Sequence, residues 1–140
     1  MGKKIEMNVG NALTKIEFKD EDGIVLGFLK INLTDIRLVG KLEQCAAFFK
    51  NYKFEGSDVE KLAAIDRDLM DKFCYVLGYD CRETLFSVLS PTTICEDGSM
   101  FAIEILNKIA SEFTEEVKQR AEARAKAMQK YTQKYKNPVS

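Results

Sequence analysis

The stretch from Gly56 to Pro91 limits the possible folds more than any other part of the chain. It reads as a helix, a glycine stop, a short second helix and a proline stop. Ser57 is placed to cap the first helix, and Glu60 three residues on completes a capping box. Val59, Leu62, Ile65, Leu69, Phe73 and Val76 then recur at helical spacing and form one apolar stripe. Gly78 stands where a left-handed C-terminal cap is expected. Asp80 and Glu83 form a second capping box, and Leu85, Phe86 and Leu89 supply a buried face. Pro91 then bars helix beyond Ser90. These are signals for structure and carry no chemistry.

Upstream the period changes. Thr14, Ile16 and Phe18 alternate with Lys15, Glu17 and Lys19, the pattern of a half-buried strand. Asp20-Glu21-Asp22-Gly23 reads as a turn, and the apolar run Ile24 to Ile31, interrupted by Gly27, as the returning strand. A lone hairpin is only marginally stable in water, so its apolar face must pack on helices. Ile5, Met7 and Val9 also alternate with polar residues, which would suit a short edge strand. Thr34 is the expected cap of the next helix, with Leu33 and Leu38 as a hydrophobic staple and Val39, Leu42, Ala46 and Phe49 as its buried stripe. Gly40 inside that helix implies either a bend or a close neighbour, since it costs about 1 kcal/mol relative to alanine.

After a loop over residues 92–99 comes the longest helical pattern in the chain. Ala102, Leu106, Ile109, Phe113 and Val117 form a strong stripe, which thins to Ala121, Ala125, Met128, Tyr131 and Tyr135. A continuous helix from Ser99 to Lys136 would run about 57 Å at ~1.5 Å per residue, longer than a domain of this size is wide. Its last third must project, turn back or be covered by another chain. The expected fold is therefore α+β and mostly helical: an N-terminal β-hairpin packed on about four helices, with a long C-terminal helix.

The chain has 140 residues, of which 46% are hydrophobic, enough for one domain that buries roughly two thirds of its unfolded surface. Its net charge of −1 hides an asymmetry. Residues 1–116 hold 14 basic and 21 acidic side chains, net −7, whereas residues 117–140 hold seven basic side chains and Glu122, net +6. This divides the chain into a compact α+β domain over 1–117 and a basic extension of the C-terminal helix over 118–140, which is not expected to be a separate domain. A solvated helix would favour such cations near its negative C-terminal end. Met128, Tyr131 and Tyr135 beside the cations also suit a protein partner, and Arg120, Arg124, Met128, Tyr131, Lys134 and Tyr135 are the candidate partner-binding residues. Nucleic acid is the less expected partner, because charge density is modest and the acidic body would repel a polyanion. No apolar run approaches the ~20 residues of a membrane span. Met1-Gly2-Lys3-Lys4 is not followed by an apolar signal-peptide core, and Glu6 does not fit a myristoylation signal.

Catalysis finds little support. Without histidine, acid–base work would fall to carboxylates, lysine, tyrosine or cysteine. Asp66, Asp68 and Asp71 read as the wet side of the Ile65–Leu69 stripe, and Asp20 to Asp22 as a polar turn rather than a cation loop. Cys45, Cys74, Cys81 and Cys95 lack metal-ligand spacing and read as buried free thiols. Cys81, in the first turn of a helix, is the one thiol whose position could lower its pKa. No phosphate loop, no G-x-S-x-G and no nucleophile–base pair is present. The chain is expected to be non-enzymatic, with no catalytic residues, no cofactor and no metal.

The order of features nevertheless resembles that of the small tail assembly chaperones of long-tailed phages, or prophages, of Gram-positive bacteria. The hairpin from Lys15 to Ile31 leads into Leu33-Thr34-Asp35, and a helix follows that ends in Asp71-Lys72-Phe73-Cys74-Tyr75-Val76-Leu77-Gly78. Next comes a short helix with Leu85-Phe86, then a C-terminal helix closing on Lys130-Tyr131-Thr132-Gln133-Lys134-Tyr135. The likeness spans most of residues 13–136. It departs at Asp80-Cys81-Arg82-Glu83, where such chaperones more often carry small residues. The resemblance implies a non-enzymatic protein of the bacterial host cytoplasm that binds the long, helical tape measure protein until tail tube subunits polymerise around it. It also leaves open a homo-oligomer formed through the same C-terminal helix. The alternatives are a nucleic-acid-associated protein using residues 118–136 and a structural component of the tail or its connector.

Overall fold

The computed structural model describes residues 2–10, 12–51 and 59–136, with side chains as far as residue 132. The expected architecture is present: an antiparallel hairpin of β1 (Thr14–Lys19) and β2 (Val25–Ile31) followed by four helices. These are α1 (Leu38–Asn51), α2 (Val59–Leu77), α3 (Arg82–Leu85) and α4 (Phe101–Lys136).

The hairpin closes as its sequence dictates. Gly23 takes φ +81°, its N–H donates to the Asp20 carbonyl at 3.0 Å, and Asp20 Oδ1 accepts from the N–H groups of Asp22 and Ile24. Pairing runs from Thr14 opposite Ile31 to Phe18 opposite Gly27, then slips by one residue so that Lys19 faces Val25. That bulge leaves Ile16, Leu29 and Ile31 on the buried face. Gly27 lies on this face too, with the backbone of Leu85 pressed against it. A Cβ at position 27 would come within 2.5 Å of the Leu85 carbonyl oxygen. Glycine is required here by the close approach of a helix to a strand.

Four aromatic rings connect the elements into one core. Phe18 of β1 meets Phe101 of α4 edge-on at 5.4 Å between ring centroids, Phe101 meets Phe86 at 6.1 Å, and Phe86 meets Phe73 of α2 at 5.5 Å. Such edge-to-face pairs add about 0.5–1.5 kcal/mol each beyond the area they bury. Leu69, Leu85, Ile105 and Ile109 fill the space around them, and no buried polar side chain is left without a partner among the described residues.

Several details differ from expectation. Residues 5–9 form no strand, and Ile5, Met7 and Val9 are exposed. Thr34 does not cap α1. Its N–H and hydroxyl donate to Asn32 Oδ1, and Asp35 takes the N–H of Arg37, so two turns precede a helix that starts at Leu38. Leu33 and Leu38 are both buried, but with the helix starting at Leu38 they do not form the expected staple. The buried line of α1 is Leu38 and Cys45 with Leu42, Phe48 and Phe49 half-buried, and Val39 and Ala46 face outward. Gly40 has open space around it, so no close neighbour explains it. In α2, Ile65, Leu69, Phe73 and Val76 form the stripe, but Val59 and Leu62 in the first turn are exposed. Ser57 of the first capping box lies outside the described residues. Gly78 caps the other end as expected, at φ +82° with its N–H on the Cys74 carbonyl at 2.9 Å.

The second capping box does not form. Helix α3 is one turn, no side chain caps it, and Asp80 Oδ1 accepts from the N–H of Arg82 while the Arg82 guanidinium reaches both Asp80 and Asp71. The first N–H groups of α4 are satisfied by loop backbone: Phe101 donates to the Thr93 carbonyl and Ala102 to that of Pro91. Asp66 is not merely a wet-side residue, since its Oδ1 accepts the N–H of Thr92 at 3.0 Å and ties this loop to α2.

Candidate functional site

Helix α4 is a single element of 36 residues, about 54 Å long. Its first turns are core, with Phe101, Ala102, Ile105 and Ile109 buried. Leu106 and Phe113 are half-buried, and from Val117 to Thr132 all sixteen residues are exposed. The helix therefore projects rather than turning back. Its burial ends where the basic composition begins, as the apolar residues of one face give way to alanine.

The predicted contact residues sit on this projecting part. Arg120, Arg124, Met128 and Tyr131 follow one another at spacings of four, four and three, which places them on one face of the helix. Met128 is 59% exposed and Tyr131 60%. Arg120 Nε lies 3.3 Å from Glu116 Oε1 one turn back, an exposed pair worth a few tenths of a kcal/mol. Lys134 and Tyr135 fall in the last turn of α4, where only the backbone is described.

A second surface was not anticipated. The turn of the hairpin, the loop at residues 93–97 and the first two turns of α4 enclose an open groove of about 870 Å³. Ile16, Phe18, Leu26, Leu89 and Phe101 give it an apolar floor, and its rim is acidic: seven of its seventeen lining residues are carboxylates and two are lysines. The sequence held a partial signal in Asp20-Glu21-Asp22, read as a polar turn, and in Glu96-Asp97 within the loop that precedes the long helix. What it lacked was their meeting across α4. The loop side is held by Asp97, whose carboxylate accepts from the N–H and the hydroxyl of Ser99, which keeps its pKa below the usual range. The Ser99 hydroxyl also contacts Glu104. Asp20 is committed to the turn, whereas Glu21, Asp22 and Glu96 are fully exposed on the rim.

The thiols correct one expectation. Cys81 is not activated by a helix N-terminus. It is buried, and loss of water together with the nearby Cys74 sulfur pushes its pKa well above the ordinary thiol value. A one-turn helix contributes little opposing field. Cys74 Sγ and Cys81 Sγ lie 3.6 Å apart, and both thiols are free. Burial likewise raises Cys45 to about 11. Among the described residues, no three histidine, cysteine, aspartate or glutamate side chains are grouped so as to hold a metal, and no helix is long and apolar enough to cross a membrane.

Comparison with protein-family models, with curated proteins and with solved structures returned no match.

Proposed function

We propose that this protein is a non-enzymatic assembly chaperone that shields helical segments of a phage tape measure protein, as the resemblance in element order implies. The observation that carries the reading is the bare second half of α4. Sixteen consecutive exposed residues present Met128 and Tyr131 within a cationic setting, on a helix that the folded domain anchors but does not cover. Amphipathic helices laid against one another are a common mode of protein recognition, with anchors repeating every three or four residues. The acidic body sets the polarity of the contact and disfavours a polyanion.

The test is co-expression with the long helical reading frame that a chaperone gene of this type would have downstream. The complex is expected to co-purify, and Met128→Ser with Tyr131→Ser is expected to abolish it while the far-ultraviolet spectrum stays helical. With apolar anchors, the complex is expected to weaken much less with salt than a nucleic-acid contact does. A contact that instead decays steeply as salt rises, and that transfers to DNA or RNA, would overturn the chaperone reading in favour of nucleic-acid binding.

A further inference from the structure

We infer that the groove at the hairpin end of one molecule takes the basic end of α4 from a second copy of the same chain. The two surfaces complement each other in chemistry. The groove has an apolar floor and a rim of seven carboxylates against two lysines. The projecting helix carries Met128 and Tyr131 as apolar anchors on the same face as Arg120 and Arg124. A helix with anchors three and four residues apart fits a groove of this kind, and the two arginines on that face reach the acidic rim.

The contact must be intermolecular. Glu104 lines the groove and Met128 stands on the same unbroken helix twenty-four residues later, about 36 Å away along the axis. A chain cannot fold its own helix end back into the groove without breaking α4. The surface area points the same way. The chain exposes 10690 Å², against roughly 7,400 Å² for a compact monomer of its mass, and the excess exceeds what each partner of a standard interface buries. The docking does not depend on the chaperone reading, since it requires only a second copy.

The experiment is sedimentation velocity on the full chain up to millimolar protein, at low and high ionic strength. The wild type is expected to self-associate, more weakly in high salt. Reversing the rim with E21K, D22K and E96K, or the helix with R120E and R124E, is expected to weaken association about tenfold or more in each case. An equimolar mixture of the two variants is expected to restore it, because the reversed rim of one meets the reversed helix of the other while the native helix of the first meets the native rim of the second. All five positions are exposed, and circular dichroism checks the fold of each variant. A wild type that stays monomeric, a rim reversal that leaves association intact, or a mixture that fails to restore it would each overturn the inference.

Discussion

Gly27 offers the sharpest test of how the hairpin and the helices are joined. A methyl group there would lie 2.5 Å from the Leu85 carbonyl oxygen and 3.2 Å from its carbon, so the obstacle is backbone rather than a side chain that can swing away. Overpacking a filled site costs about 1–3 kcal/mol, and a rigid neighbour puts Gly27→Ala at the upper end. Leu85 is fully buried, and Phe86 beside it stacks on both Phe73 and Phe101, so displacing α3 loosens three elements together. At about 4 °C per kcal/mol for a chain of this size, the melting temperature should fall by roughly 8–12 °C. Gly40 supplies the control, because it sits in the first turn of α1 with nothing near its missing Cβ. Gly40→Ala should gain about 0.5–1 kcal/mol and melt roughly 2–4 °C higher. Thermal melts of the two variants by circular dichroism decide the matter. A Gly27→Ala melt within about 2 °C of wild type, or shifts of the same sign at both glycines, would refute the packing argument.

Truncation after Val117 removes only exposed residues and the turns beyond them, so the shortened chain should melt within about 3 °C of the full one while losing its contacts with partners. Cys45 has a folded-state pKa near 11, above its ordinary value of 9.0, so the stability gained from burying the neutral thiol is present below pH 9.0 and lost as pH rises toward 11. Denaturant melts across that alkaline range should show the decline, and Cys45→Ala should flatten part of it. Diamide should join Cys74 to Cys81, because their sulfurs are 3.6 Å apart and Cys74 is the more accessible of the two. Each thiol gives up one hydrogen to the azo reagent, and intact mass should fall by about 2 Da with no dimer formed. Tyr79→Phe removes the hydroxyl that accepts the N–H of Lys30 at 2.9 Å, and should cost about 0.5–1.5 kcal/mol in chemical denaturation.

Most of the fold was legible because its punctuation is local. Gly23, Gly78 and Pro91 each act within a few residues, and the periods of two and of three to four stand out in β1, α2 and α4. The errors came where tertiary contacts decide. Thr34 looked like a cap, but Asn32 and Asp35 offered the backbone competing acceptors and delayed α1 by a full turn. Val59 and Leu62 continue the stripe of α2 in sequence, yet both are exposed in its first turn. Gly27 read as an interruption in a strand, and its reason was fifty-eight residues away at Leu85. The bare half of α4 was readable from its thinning stripe and its charge. The groove was not, since its rim joins acidic runs some seventy-five residues apart whose meeting depends on how the hairpin turn lies against α4.

The uncovered half of α4 also obeys a different thermodynamics from the rest of the molecule. Its nucleus is already formed by the buried turns at Ile105 and Ile109, so the costly initiation step of a helix–coil transition is absent and only propagation remains. Ala121, Ala123, Ala125 and Ala127 favour propagation, and the Glu116–Arg120 pair adds a little more. Each residue beyond Val117 is thus held by a balance close to even, and the end unwinds progressively on warming while the core melts in one cooperative step. Amide hydrogens should exchange along a gradient, fastest toward the tip and slowest where the helix enters the core. A partner that seats on this end would extend protection outward turn by turn, so the depth to which exchange slows would measure how much of the helix it grips.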